Sequence, residues 1–300
     1  SKLTRSLEIV VKILLSDAIC FCSLSKANIF GIRVAKLFNK KIFYLMHGYS
    51  TLEKKINNNN ITEEQIIKIN KYEKYIFRNV ERIFCVSEAF MNYMKDTEPE
   101  FKEKFDYNYN GLDLDKIKNS TEKYSANKKQ GQIVSIGGGM KQKNNLAVCK
   151  AINKLNKEKN MNLKYIVIGL PYTDKEEICN YDFVTYYDEL PHEKVLEILA
   201  ESYLYVQNST FETFGLALIE ALFSNCNLLV SSRVGAIGVI KTITDSDLIY
   251  DQDNIEEISS KIEKIMNSGN AKMLYDGVLE DEIGLEKAAE SLLSKILKTI

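Results

Sequence analysis

Glu212 and Glu220 stand eight residues apart in the stretch STFETFGLALIEALFS. Between Gly215 and Phe223, Glu220 is the one residue that is neither apolar nor glycine. Such a run describes a helix buried on most of its sides. An unpaired carboxylate buried there costs several kcal/mol, so Glu220 must be either compensated or used. The preceding run YLYVQNS reads as a strand, which places Glu212 on a strand-to-helix loop, where α/β sheets bind ligands. Thr213 is the expected N-cap, and Gly215 allows a ligand to approach the backbone. The free N–H groups and positive dipole end at such a helix N-terminus attract phosphate. Glu220 then lies about 7.5 Å further along the axis, at about 1.5 Å per residue. That is close to the separation between a nucleotide's phosphates and its ribose, whose two hydroxyls a carboxylate can accept. Pairing of Glu220 with a core lysine or with backbone amides satisfies the spacing equally well.

A second constellation, SIGGGMKQKNN, is a strand, a glycine loop and a helix entrance. It fails the G-x-G-x-x-G fingerprint at Gln142 and lacks the G-K-[ST] of a Walker loop. What remains is a phosphate-sized loop at Gly137 and Gly138 with Lys143, and Lys141, at the helix start. His47, in LMHGYS, also follows a strand. His192, in LPHEK, opens a helix and reads as a surface residue. With two histidines in the chain and no nucleophile elbow, Ser–His–Asp chemistry has little to build on. GLDLD at 111–115 reads first as a turn, and no second carboxylate site accompanies it to hold a metal.

The elements that must position these residues alternate. AICFCS and KIFYLMH flank a helix near Ile29–Phe38, and RIFCVS precedes one near Glu88–Lys95. In the second half QIVSIGG, LKYIVIG, DFVTYY, YLYVQNS, NLLVSS and DLIY alternate with helical patterns, ending in helices near Glu256–Met266 and Leu285–Leu297. Strands alternating with helices predict doubly wound parallel sheets. The polar stretch NSTEKYSANKKQGQ at 119–132 is the expected linker, giving an N-terminal unit over 1–125 and a C-terminal unit over 126–283. Residues 284–300 form a closing helix expected to pack back on the first unit. A cleft is expected between the two units, and NNNN at 57–60 reads as a loop.

The bulk properties constrain partners. Six cysteines lie without disulfide spacing, several inside apolar runs, which fits a reducing cytoplasm. The formal charge is −1, but residues 1–130 carry 23 Lys and Arg against 16 Asp and Glu, and the remainder carries 17 against 25. A basic first half suits anionic lipid, and solvated surface lysines explain it equally well. No apolar run is long enough to span a membrane. SKLTRSLEIVVKILLSDA, interrupted by Glu8 and Lys12, reads as an amphipathic helix.

In order and spacing, these pieces resemble the retaining nucleotide-sugar glycosyltransferases of family four, which have the two-Rossmann GT-B fold. ETFGLALIE looks like their E-x7-E motif, SIGGGMKQKN like their phosphate-lysine segment, and FYLMHG like the first-domain strand and its histidine. CVSEAF, NYNGLD, IVIGL and RVGAIGVI match further segments. The resemblance implies that Glu220 holds the donor ribose and that Glu212 and His47 contact the sugar. Lys143, with Gly137, Gly138 and the amides around Phe214, Gly215 and Leu216, would meet the diphosphate. It implies no cofactor and no metal, only a UDP- or GDP-sugar donor and a glycan or lipid-linked acceptor. No nucleic acid is expected, and peripheral contact with an anionic membrane at the inner face is. The role implied is surface polysaccharide assembly. The alternative is a non-catalytic GT-B subunit that binds glycan or supports a partner enzyme. Two departures stand out. Gly138 occupies a position where the family usually has an arginine, leaving Lys141 or Arg233 to supply that contact. The first domain also lacks the opening strand and glycine-rich loop before Asp17.

Overall fold

The structure, a computed structural model, describes residues 2–58, 60–122 and 128–300. The chain divides into two compact units, residues 1–111 with 286–300, and residues 112–285. Each is an all-parallel sheet with helices in its crossovers, as the alternation predicts.

The first unit carries four strands in sequential order: β1 (Ala18–Phe21), β2 (Lys41–Met46), β3 (Arg82–Cys85) and β4 (Phe105–Tyr107). Its helices are α1 (Lys2–Leu14), α2 (Lys26–Leu37), α3 (Ser50–Asn57), α4 (Glu63–Asn79) and α5 (Glu88–Thr97). Ser25 accepts from Asn28 N at 3.1 Å and Ser87 from Phe90 N at 3.1 Å, so two helices start on side-chain caps. α4 starts on a capping box in which Thr62 and Gln65 bond each other's backbone N–H. Among the described residues no helix is long and apolar enough to cross a membrane.

One buried carboxylate ties these helices together. Glu73 on α4 is 2 % exposed and accepts from Ser50 N at 2.8 Å, from Thr51 N at 3.2 Å and from the Thr51 hydroxyl. It thereby caps the N-terminus of α3, just after His47. Burial pushes its pKa from 4.5 up to about 7, against those three hydrogen bonds. Between those values the folded chain binds the proton that the unfolded chain has released, so stability falls as pH rises from about 5 to 7. The loss attached to this group is of order 3 kcal/mol. Chemical denaturation at pH 5, 6, 7 and 8 should show that decline in the wild type and a flatter profile in Glu73→Gln. Identical profiles would remove the assignment.

The second unit has six strands: β5 (Lys129–Ile136), β6 (Lys164–Ile168), β7 (Val184–Tyr187), β8 (Ser202–Gln207), β9 (Asn227–Ser231) and β10 (Leu248–Ile249). They lie in the order β10-β9-β8-β5-β6-β7. The helices are α6 (Leu114–Glu122), α7 (Asn145–Lys159), α8 (Lys175–Cys179), α9 (His192–Glu201), α10 (Leu216–Phe223), α11 (Ile255–Ser268), α12 (Ala271–Asp276) and α13 (Glu280–Ile283). Every residue of β9, NLLVS, is buried, because helices cover both faces of a parallel sheet. The core joins Ile133, Val167, Leu204, Val206 and Leu229 from the strands to Val148, Ile152, Ile258 and Ile262 from α7 and α11.

The boundary between units falls at 111/112 rather than 125/126. α6 belongs to the second unit, held there by a Lys118–Glu280 ion pair at 2.7 Å and by backbone bonds from Leu112 N to Ile283 O and from Leu285 N to Leu112 O. The expected linker is helical up to Glu122, and its end, 129–132, opens β5; 123–127 lie outside the described residues. α14 (Leu285–Leu297) closes the chain, and residues 286–300 pack with the first unit. There Asn108 Nδ2 donates to Ala288 O at 3.0 Å. The Asp-x-Asp of GLDLD caps α6, with Asp113 Oδ1 accepting from Lys116 N at 3.0 Å.

Candidate functional site

In the second unit the chain builds β5, β6 and β7 outward on one side, then returns to build β8, β9 and β10 on the other. β5 and β8 are therefore neighbours whose following loops diverge. Open α/β sheets bind ligands outside the carboxyl ends of such a pair. The two stretches singled out in the sequence are those two loops.

The loop after β5 is set by packing. Gly137 N and Gly138 N both donate to Ile168 O, at 2.7 and 3.0 Å, and Gly139 N donates to Leu170 O at 3.3 Å. The N–H groups at 137 and 138 are thus taken up by the end of β6 rather than presented to a phosphate. What these glycines provide is space. A Cβ on Gly137 would lie 2.4 Å from Lys143 Cγ, so the bare position lets the lysine stem cross it. Gly138 has φ +60°, and a Cβ there would lie 2.4 Å from Leu170 O and 2.5 Å from the Gly169 carbonyl. Where the family usually has an arginine, this loop has no room for any side chain. Below it, Tyr165 OH donates to Ser135 Oγ at 2.7 Å, and Asn145 Nδ2 donates to Gly138 O at 2.8 Å. Burial holds the Tyr165 pKa well above its ordinary value, so it stays a donor.

Lys141–Lys143 form one 3₁₀ turn, and Asn144, at φ +48°, redirects the chain into α7. This aims Lys143 at the other loop, where its Nζ pairs with Glu212 Oε2. The two side chains are 20 % and 14 % exposed, so solvent screens the pair only partly. Gln207 Nε2 donates to the same oxygen at 3.2 Å, and Tyr205 OH donates to Gln207 Oε1 at 3.1 Å, fixing the amide's orientation. The backbone around Glu212 is clamped on two sides. Thr210 N donates to Gln142 O at 2.8 Å and Gln142 Nε2 to Phe211 O at 2.6 Å. Glu212 N donates to Arg233 O at 3.2 Å, and Gly235 N to Glu212 O at 3.0 Å. The Arg233 side chain reaches Gln252 Oε1 through Nε at 3.1 Å.

α10 begins at Leu216, and its N-cap is Gly215, at φ +104°, not Thr213. A left-handed residue turns the chain sharply into the helix, which a threonine at 213 could not do from two residues earlier. Phe214 is buried and Leu216 is exposed, and in the first turn Leu218 N donates to Gly215 O at 3.1 Å. Further along α10, Glu220 keeps an accessible edge, 18 % of its side chain, and Oε1 lies 2.9 Å from His192 Nε2. His192 is exposed, as expected, but the partner of Glu220 proves to be this histidine rather than a core lysine. Tyr205, fully buried, lies close enough to both glutamates for their charges to raise its pKa, after burial itself.

Seven of the expected residues besides Glu212 thus sit on one unit: Gly137, Gly138, Lys143, Phe214, Gly215, Leu216 and Glu220. Lys143 and Glu212 are in direct contact. His47 is on the other unit, at the carboxyl end of β2, bonded to Asn110. Desolvation lowers its pKa, and the Asn110 bond opposes this only in part, so it is a neutral imidazole at pH 7. Sequence reasoning passed over Gln207 and Tyr205. A glutamine inside the apolar run YLYVQ was the available signal, since a buried amide needs a partner.

The glycosyl transferases group 1 family matches residues 116–275, more than half of the chain and wholly within the second unit. The GPI3 subunit of phosphatidylinositol N-acetylglucosaminyltransferase from Saccharomyces cerevisiae is 24 % identical over 237 residues, 75 % of this chain and 51 % of that protein. The chain therefore spans about half the length of this curated relative. Among solved structures, the UDP-forming α,α-trehalose-phosphate synthase from Burkholderia xenovorans superposes with a TM-score of 0.73 at 10 % identity, covering 99 % of this chain and 78 % of that one. HepE from Anabaena, in complex with UDP and glucose, gives 0.70 at 12 % identity, covering 97 % and 80 %. The two Rossmann-like parallel-sheet units are those of the GT-B fold. The chain belongs to the group 1 glycosyl transferases.

Proposed function

We propose that the chain transfers a sugar from a nucleotide-diphosphate sugar to a glycan or lipid-linked acceptor, with retention of anomeric configuration, in surface polysaccharide assembly. The observation that carries this reading is the meeting of Lys143 and Glu212 at the switch point between β5 and β8, beside the N-terminus of α10. Lys143 and the N–H groups of Gly215 and Leu216 receive the diphosphate. Glu220 accepts the ribose hydroxyls from its exposed edge, and Glu212 contacts the sugar. Gly137 acts by giving Lys143 its path, and Gly138 by letting the loop pack against the backbone of residues 169–170.

In this chemistry the bond from the anomeric carbon to the diphosphate oxygen breaks, and a bond to the acceptor oxygen forms on the same face. The acceptor's proton passes to the departing diphosphate. The charge that develops there is what the lysine and N–H groups stabilise, and fixed donors aimed at developing charge are worth most. The yeast relative is named for phosphatidylinositol, which favours a lipid-linked acceptor. The same relative is named as a subunit, which favours as second reading a GT-B chain that serves a partner enzyme.

Nucleotide release measured over UDP-, GDP- and ADP-sugars tests the first reading. One donor should turn over, and Lys143→Ala should lower kcat/KM by about 10²–10³-fold, with a lower Tm because Glu212 loses its cationic partner. Binding of a donor without turnover in any acceptor mixture would favour the subunit reading. No binding at all would end the first reading.

A further inference from the structure

We infer that His192 is a positioning residue for the ribose seat, holding one oxygen of Glu220 so that the other is presented to the sugar hydroxyls of a nucleotide. This rests on the ribose role proposed for Glu220 above.

The geometry is specific about protons. A carboxylate only accepts, so the 2.9 Å contact to Oε1 requires that His192 carry its hydrogen on Nε2. Oε1 then has a fixed donor, and Oε2 is left as the acceptor for vicinal hydroxyls. Without a donor, a glutamate at the edge of a helix samples several rotamers and offers either oxygen. α10 supplies no polar neighbour for this task, because Glu220 is the one polar side chain among its eight residues, LALIEALF. The donor must come from another element, and it comes from the first residue of α9. Pro191, at φ −56°, precedes His192 there and sets the direction in which α9 starts.

The exposure of the pair also fits a seat better than a core contact. His192 is 53 % exposed and Glu220 18 %, so the hydrogen bond lies at the surface end of the carboxylate, on the edge a ligand would reach. In the free chain such an exposed contact adds little stability. Once a nucleotide covers it, water is excluded and the same bond strengthens. The histidine is thus placed to matter for binding and hardly at all for folding. A purely structural pair would show the opposite balance.

The test uses the full chain and isothermal titration with UDP, GDP and ADP, followed by the 2′,3′-dideoxy form of whichever binds. Wild type should prefer the ribonucleotide, and Glu220→Ala should erase that preference. His192→Ala should weaken the ribonucleotide by about fivefold, leave the dideoxy form unchanged and leave Tm unchanged. His192→Gln, which can donate from its amide, should recover most of the loss. Unchanged or tighter ribonucleotide binding in His192→Ala, or equal weakening of both forms, would overturn the positioning role while leaving Glu220 in place. If Glu220→Ala keeps the preference, or if none of the three nucleotides binds, the ribose role falls and this inference falls with it.

Discussion

Glu212→Ala is expected to cut the proposed sugar transfer sharply and yet bind the leaving nucleoside diphosphate more tightly than the parent chain. In the free protein Lys143 is committed to Glu212. A diphosphate arriving beside α10 must share that lysine with a carboxylate and meets the carboxylate's own negative charge. Removing the carboxylate releases the cation and deletes the repulsion. With charges a few ångströms apart in a partly shielded site, a gain of about tenfold in affinity is the expected scale. The sugar loses its acidic contact at the same time, so turnover falls by about 10²-fold or more. Thermal melts give an independent readout. The variant should melt lower than wild type without ligand, because Lys143 has lost its partner, and should gain more from added diphosphate. Weaker diphosphate binding in Glu212→Ala would show that the carboxylate supports the phosphate end instead of competing for it.

Gly138→Arg, the substitution that writes the family's usual residue into this loop, will destabilise the protein instead of improving it. An ideal Cβ at 138 lies 2.4 Å from Leu170 O, and a Cβ at Gly169 would lie 2.5 Å from Gly138 N, so the two glycines interlock backbone to backbone. A left-handed φ adds strain of about 1–3 kcal/mol and the overlap a similar amount. Together these give a loss of about 2–6 kcal/mol, which corresponds to a Tm drop of roughly 4–24 °C. Gly138→Ala should show most of the effect, since the clash begins at Cβ. A Gly138→Arg variant that melts like wild type and turns over faster would show that the loop can open to admit the side chain.

These two loops illustrate what the sequence made legible. Strand-then-loop order placed Glu212 and Lys143 at carboxyl ends, and a parallel sheet brings carboxyl ends together, so their meeting followed from local pattern plus topology. The arginine question was not legible, because the obstacle at Gly138 is the backbone of residues 169–170, which no spacing around position 138 reports. His192 and Glu220 are separated by an intervening strand, and their contact depends on how α9 and α10 pack. α4 was missed for a different reason. Its capping box, Thr62 to Gln65, was visible, but the polar NNNN tract before it and the buried Glu73 within it masked the helical period. The boundary moved because polarity marks solvent exposure, whereas α6 is assigned by what it packs against.

The placement of the family match inside residues 112–285 bears on how such a chain can change over evolutionary time. The proposed nucleotide-handling groups are encoded in one uninterrupted segment. A recombination event or an accumulation of substitutions outside it leaves them intact as a set. Changes elsewhere in the chain can therefore accumulate while this segment is inherited as one piece.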